Sequence, residues 1–126
     1  MKLMSLFFCL FLSSHAFSKC EYYLEKDSIL WAGLSLNFGN GLTSIMEEKG
    51  YSRVYRPDLA DFEVLVDIDE VDGRFFKHAR ANFDINGAIF HDDVRCFTQS
   101  CAISDLGKAT NKAMRSIRKK LSKCSY

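Results

Sequence analysis

The sequence predicts an α+β domain: an antiparallel β-meander, a C-terminal amphipathic helix packed on one face of it, and a short N-terminal β-α-β segment. Three observations carry this. Two dipeptides that favour tight hairpins, Asp72-Gly73 and Asn86-Gly87, each stand between β-rich runs. Apolar residues between positions 106 and 121 recur at helical spacing. Four cysteines follow an export-like leader, an even number suited to two disulfides.

The elements follow in chain order. Met1-Lys2 opens on one base, residues 3–12 are almost wholly apolar, and Ser14, Ala16 and Ser18 supply small-x-small cleavage positions. These are the parts of a secretory signal, expected over residues 1–18 with cleavage after Ser18. The apolar run is shorter than the roughly 20 residues that a membrane-crossing helix needs. Residues 19–126 are then the length of one domain, expected to be disulfide-stabilised, with no transmembrane segment left after cleavage. The whole chain holds 17 basic and 16 acidic residues. Loss of Lys2 balances them, so net charge selects no partner.

Residues 19–26 carry no readable pattern. Ile29–Leu36 reads as a strand, and Asn40–Lys49 as a short helix ended by Gly50, a residue suited to positive φ at a helix terminus. Tyr51–Arg56 reads as a second short strand closed by Pro57. A meander is expected over 61–71, 74–85 and 88–97. Folding about Asp72-Gly73 sets Phe62, Val64, Val66 and Ile68 opposite Phe83, Ala81, Ala79 and Lys77. Folding about Asn86-Gly87 sets Phe90 beside Phe83 and Val94 beside Ala79. The other face then pairs Asp67 with His78 and Arg80 with Asp93. Asp92 falls on the apolar side opposite Ala81, which calls for a bulge or a rim position. The last helix is expected from Asp105 to Lys123, capped by Ser104 or Asp105, with Leu106, Ala109, Thr110, Ala113, Met114, Ile117 and Leu121 on one arc. Trp31, Phe38, Tyr51 and Tyr55 are expected to complete the core.

Cys9 leaves with the signal. For the others the expected pairing is Cys96–Cys101, closing a short loop, with Cys20–Cys124, tying the ends of the domain. A zinc site is the rival reading, but the Cys96/Cys101 spacing has no second close pair and no nearby histidine. No metal or other cofactor is expected.

Two charge clusters stand out. The terminal helix carries Lys108, Lys112, Arg115, Arg118, Lys119, Lys120 and Lys123, with no acid after Asp105. Lys108, Lys112, Arg115, Lys119 and Lys123 fall within about 80° of arc opposite the apolar stripe. Such a ridge is either a solvated helix face with cations at the favourable end of the dipole or a surface for an anionic partner. Against it stand Asp58, Asp61, Glu63, Asp67, Asp69, Glu70 and Asp72, seven acids with no base among them. Asp67 and Asp69 are about 7 Å apart along a strand, and His91 shares a face with Asp93. Surface pairs explain both, because no nucleophile motif accompanies them. Gly39-Asn40-Gly41 is only a fragment of a phosphate loop and reads as loop and cap.

The run from Gly41-Leu42 through Gly50-Tyr51-Ser52-Arg53-Val54-Tyr55-Arg56-Pro57 to Ala60-Asp61-Phe62-Glu63-Val64-Leu65-Val66 resembles the lipopolysaccharide-assembly and related outer-membrane lipoprotein domains. There too a helix ends in Gly-aromatic, a strand follows, and Ala-Asp-aromatic leads into a long strand before a terminal helix. The resemblance implies a bacterial envelope domain and carries over no site residue. The lipobox of those proteins is missing, since Lys19 precedes Cys20. The expectation is a non-catalytic exported module, periplasmic or secreted. It would act through the basic helix face or a sheet edge on an anionic envelope component or an acidic protein, with no nucleic acid. A secreted disulfide-rich effector or inhibitor, or an enzyme with an unrecognised site, are the alternatives.

Overall fold

A computed structural model describes residues 20–125; the expected signal over residues 1–18 lies outside them. The fold is α+β. Among the described residues seven strands, β1 (Glu21–Leu24), β2 (Ser28–Trp31), β3 (Leu34–Asn37), β4 (Ser52–Val54), β5 (Phe62–Asp72), β6 (Lys77–Ile85) and β7 (Ala88–Arg95), accompany two α-helices, α1 (Gly39–Glu48) and α2 (Ile103–Lys120), and a 3-10 turn at Pro57–Leu59. A five-stranded sheet has the order β4-β1-β5-β6-β7, and β2 and β3 form a separate hairpin.

Alternation along the meander strands sorts their side chains by face. Val64 and Ile68 of β5, Ala79, Ala81, Phe83 and Ile85 of β6, and Phe90 of β7 are buried. They meet Leu106, Ala109, Ala113 and Ile117 of α2 and Leu42, Ile45 and Met46 of α1 in one core. The alanines on both surfaces are fully buried, and their small side chains let α2 lie close to the sheet. Phe38 meets Phe83 edge-on, with ring centroids 6.1 Å apart. Both helices cover one face of the sheet, and the other face is left to solvent.

The Asn86-Gly87 hairpin forms in the expected register, Phe83 opposite Phe90 and Arg80 opposite Asp93. Both turn residues take positive φ, 52° and 90°, and Asp84 Oδ1 accepts the Gly87 N–H at 3.0 Å. Asp92 sits opposite Ala81 in an unbroken ladder, so its strand, at the sheet's edge, provides a rim position without a bulge.

At Asp72-Gly73 the expectation fails. Pairing runs on to Asp72 opposite Lys77, and residues 73–76 form a four-residue loop in which Gly73 N–H donates to Phe76 O. Val66 therefore faces Phe83 and Ile68 faces Ala81. Each β5 residue meets a partner four places further along than expected. Four is even, so every side chain keeps its face. Asp67 is consequently opposite Asn82, and His78 is opposite Val71; the expected Asp67–His78 pair does not form. The ion pair of Lys77 with Asp72, at 2.9 Å, helps hold this longer pairing.

The N-terminal half departs further. The expected Ile29–Leu36 strand is broken by Ala32 and Gly33, both at positive φ, into the β2–β3 hairpin with Trp31 opposite Leu34. The patternless segment after Cys20 becomes β1, an interior strand lying between β4 and β5 and parallel to both. The β-α-β segment is thus β1-α1-β4, and its first strand is not the one expected. Arg53 of β4 locks this half. Its guanidinium donates to Asp27 Oδ1 at 2.6 Å and to Leu24 O at 3.1 Å. Gly39 starts α1 hard against the Asp27 side chain, where a Cβ would collide.

Cys20–Cys124 and Cys96–Cys101 are both disulfides, and they suggest an oxidising, exported environment. Beyond α2 the chain turns back at Leu121 and returns past the end of α1, where Cys124 N–H donates to Lys49 O at 2.8 Å. No helix among the described residues is long and apolar enough to cross a membrane.

Candidate functional site on the terminal helix

α2 forms because apolar positions recur at helical spacing and its start is satisfied locally. The N-cap is Ala102 rather than Ser104 or Asp105. Asp105 sits in the first turn, and its carboxylate accepts the Ala102 N–H at 3.0 Å, an interaction also favoured by the positive end of the helix dipole. Leu106, Ala109, Thr110, Ala113 and Ile117 are buried, as is Leu121 just beyond the helix; Met114 is half-buried. Thr110 returns its hydroxyl to Leu106 O at 2.7 Å, so the buried polar side chain of the helix is paired.

The opposite side holds Lys108, Lys112, Arg115 and Lys119, at a spacing that stacks them along one stripe. None of the four makes a salt bridge among the described residues. Lys112 reaches only a backbone oxygen, Asp93 O, at 3.4 Å, whereas Arg118 is paired to Glu48 at 3.4 Å. Lys123 does not belong to the stripe: the helix ends at Lys120, because the chain must turn at Leu121 to bring Cys124 to Cys20. Lys120 replaces it, lining with Lys112, Arg115, Ser116, Lys119 and Asp92 an open cleft between α2 and the edge of the sheet. Asp92 supplies the carboxylate among these lining residues. Arg115 also borders the cleft between the helices, beside Gly41, Ile45, Asn111 and Met114, so its guanidinium stands on the crest between two hollows.

The acids divide differently. Glu63, Asp67 and Asp69 are exposed on the face of β5 turned away from α2, so the basic stripe and these acids lie on opposite sides of the sheet. Asp58 is paired to Arg56, and Asp61 accepts the Glu21 N–H at 3.0 Å. Glu70 and Asp72 share Lys77. Glu70 also accepts the Cys101 N–H at 2.5 Å, and that bond, with the Lys77 charge, holds its carboxyl below the usual glutamate range. Arg80 grips both oxygens of Asp93, at 2.9 and 3.2 Å, and lowers its pKa, with His78 and His91 adding weaker attraction. The expected Arg80–Asp93 pair is therefore in place, and it is a surface ion pair. No three His, Cys, Asp or Glu side chains among the described residues are grouped to hold a metal ion.

Of the aromatic residues expected in the core, Phe38 is buried, and Trp31 and Tyr51 pack partly against it. Trp31 Nε1–H donates to Cys101 O at 2.8 Å. Tyr55 stands exposed at the rim, its ring 4.8 Å from the Arg53 guanidinium. Comparison with known proteins finds no matching family model, no matching curated protein and no matching solved structure.

Proposed function

We propose that this chain is an exported, non-catalytic binding module, periplasmic or secreted, that holds an anionic envelope component or an acidic protein on the outer stripe of α2. The observation that carries the reading is the row Lys108, Lys112, Arg115 and Lys119, four cations on the outer side of the helix with no carboxylate paired to them among the described residues. Unpaired cations in register raise the local concentration of an anionic partner and steer its approach.

The sheet edge is the weaker surface. Lys112 covers a carbonyl of β7 at Asp93, and Asp92 and Asp93 place two charges along that strand. Edge charges of this kind discourage strand addition. An envelope role is in keeping with the resemblance of residues 41–66 to envelope-assembly domains.

The test is the triple charge reversal K112E/R115E/K119E. The fold should survive, because all three side chains lie outside the core. Retention on vesicles containing phosphatidylglycerol, and recovery of the partner by crosslinking in the host cell, should both fall. Undiminished retention and crosslinking would sink the reading. Fractionation of the host separates a periplasmic from a secreted protein.

A further inference from the structure

At the end of the sheet where β5 turns into β6, exposed phenylalanines gather that the core does not use. Phe75 and Phe76 lie in the loop joining β5 to β6, and Phe97 lies in the loop closed by Cys96–Cys101. Phe75 is 81 % exposed, Phe97 77 % and Phe76 45 %. In the register that the sequence predicts, Phe75 and Phe76 would be strand residues; the longer loop puts them in solvent instead.

Two arginines are interleaved with these rings. The Arg95 guanidinium lies 4.8 Å from the centre of the Phe76 ring and 5.1 Å from that of Phe97, so it bridges the two loops. Arg74 lies 5.4 Å from Phe75. Neither arginine is paired to a carboxylate among the described residues. The acids closest in the chain to Arg74, Glu70 and Asp72, are occupied by Lys77. The loop bearing Phe97 is held by its disulfide, by Glu70 on the Cys101 N–H and by Trp31 on the Cys101 carbonyl.

We infer that this tip is a membrane-docking element, in which Phe75 and Phe97 enter the acyl boundary of an anionic phospholipid surface while Arg74 and Arg95 bind the headgroup phosphates. The choice of a bilayer over a protein partner rests on shape and charge. Side chains this exposed on two adjoining loops project outward rather than line a groove, and a fluid interface accepts projecting rings without a matching pocket. A guanidinium beside each ring sits at headgroup depth when the ring is inserted, and unpaired cations there complement an anionic leaflet. The inference uses residues other than those of the α2 stripe and does not depend on that reading.

The experiment uses the protein purified from its host and vesicles of phosphatidylcholine with or without phosphatidylglycerol. F75S/F97S should fold as the native chain does, checked by its thermal melt, and its partition onto the anionic vesicles should fall by roughly tenfold or more. In F97W, the new indole emission should shift blue on binding and be quenched by brominated acyl chains, beyond the signal of Trp31. Equal partition of F75S/F97S and the native chain, or an unquenched indole at position 97, would overturn the inference. So would loss of a captured host protein in F75S/F97S with vesicle partition unchanged. If K112E/R115E/K119E loses the vesicles and F75S/F97S does not, the tip assignment falls and the helix reading stands. If F75S/F97S loses them and the charge reversal does not, the tip assignment stands and a lipid partner for the helix is excluded.

Discussion

The two disulfides have similar Cα separations, 5.8 Å for Cys20–Cys124 and 5.2 Å for Cys96–Cys101, but span 104 and 5 residues of chain. The first ties the start of β1 to the tail beyond α2. Its strand is four residues long, sits between two parallel neighbours and has no hairpin to hold it in place. A covalent tie there restricts nearly the whole unfolded chain. The second closes a small loop whose far end is already held by Glu70 and Trp31. One bridge thus secures the topology, while the other shapes a surface that carries Phe97.

The largest effect should come from breaking the long bridge. In the chain-entropy account a loop of this length contributes about 4–5 kcal/mol and a loop of a few residues about 2 kcal/mol. Cys20→Ser with Cys124→Ser should therefore lower the unfolding free energy by about 4 kcal/mol, read from the denaturant midpoint. A loss below about 1 kcal/mol would mean that the unfolded chain stays compact enough to keep its ends close without the bridge. Cys96→Ser with Cys101→Ser should cost about half as much. Equal losses from the two pairs would erase the distinction between them.

The smallest effect separates covalent from non-covalent support of the Phe97 loop. Glu70 has its pKa depressed in the fold, first by the Cys101 N–H and then by Lys77. A depressed carboxylate contributes stability that is present above its unfolded pKa and lost as pH falls through the lower, folded value. Protection of the Cys101 amide against hydrogen exchange should thus hold at neutral pH and fade only in acid, below the ordinary glutamate range. Glu70→Gln should lower that protection at neutral pH and remove the acid-dependent step. An unchanged protection profile in the variant would show that the disulfide and Trp31 order the loop without Glu70.

Much of the meander was legible because its signals are local. Asn86-Gly87 takes positive φ at both positions, and neither Phe90 nor Phe83 has a better place to go than opposite each other. Asp72-Gly73 offered the same kind of dipeptide, but Gly73 is not at positive φ, and pairing extended past it to Lys77. A turn preference worth little was outweighed by longer strand pairing and the Lys77 ion pairs. The site was legible to the same degree. Lys108, Lys112, Arg115 and Lys119 align by helical period alone, whereas Lys123 and Lys120 exchanged roles because the helix had to end early. Phe75, Phe76 and Phe97 carry no comparable local signal, because they read as strand or loop residues until the register of β5 and β6 is known.

What the chain determined by itself is whatever depends on near neighbours: which face each meander residue takes, where α1 ends at Gly50, how α2 divides into apolar and basic sides, and which cysteines remain to pair. Tertiary structure alone decided that Glu21–Leu24 lies inside the sheet between β4 and β5, that Ala32-Gly33 folds a strand back on itself, and that Arg95 joins two aromatic loops. The reason is physical. Periodicity and turn conformation are properties of a few consecutive residues, but parallel pairing across a long connection leaves no mark in either strand, because its stabilisation comes only from the partners that the whole fold brings together.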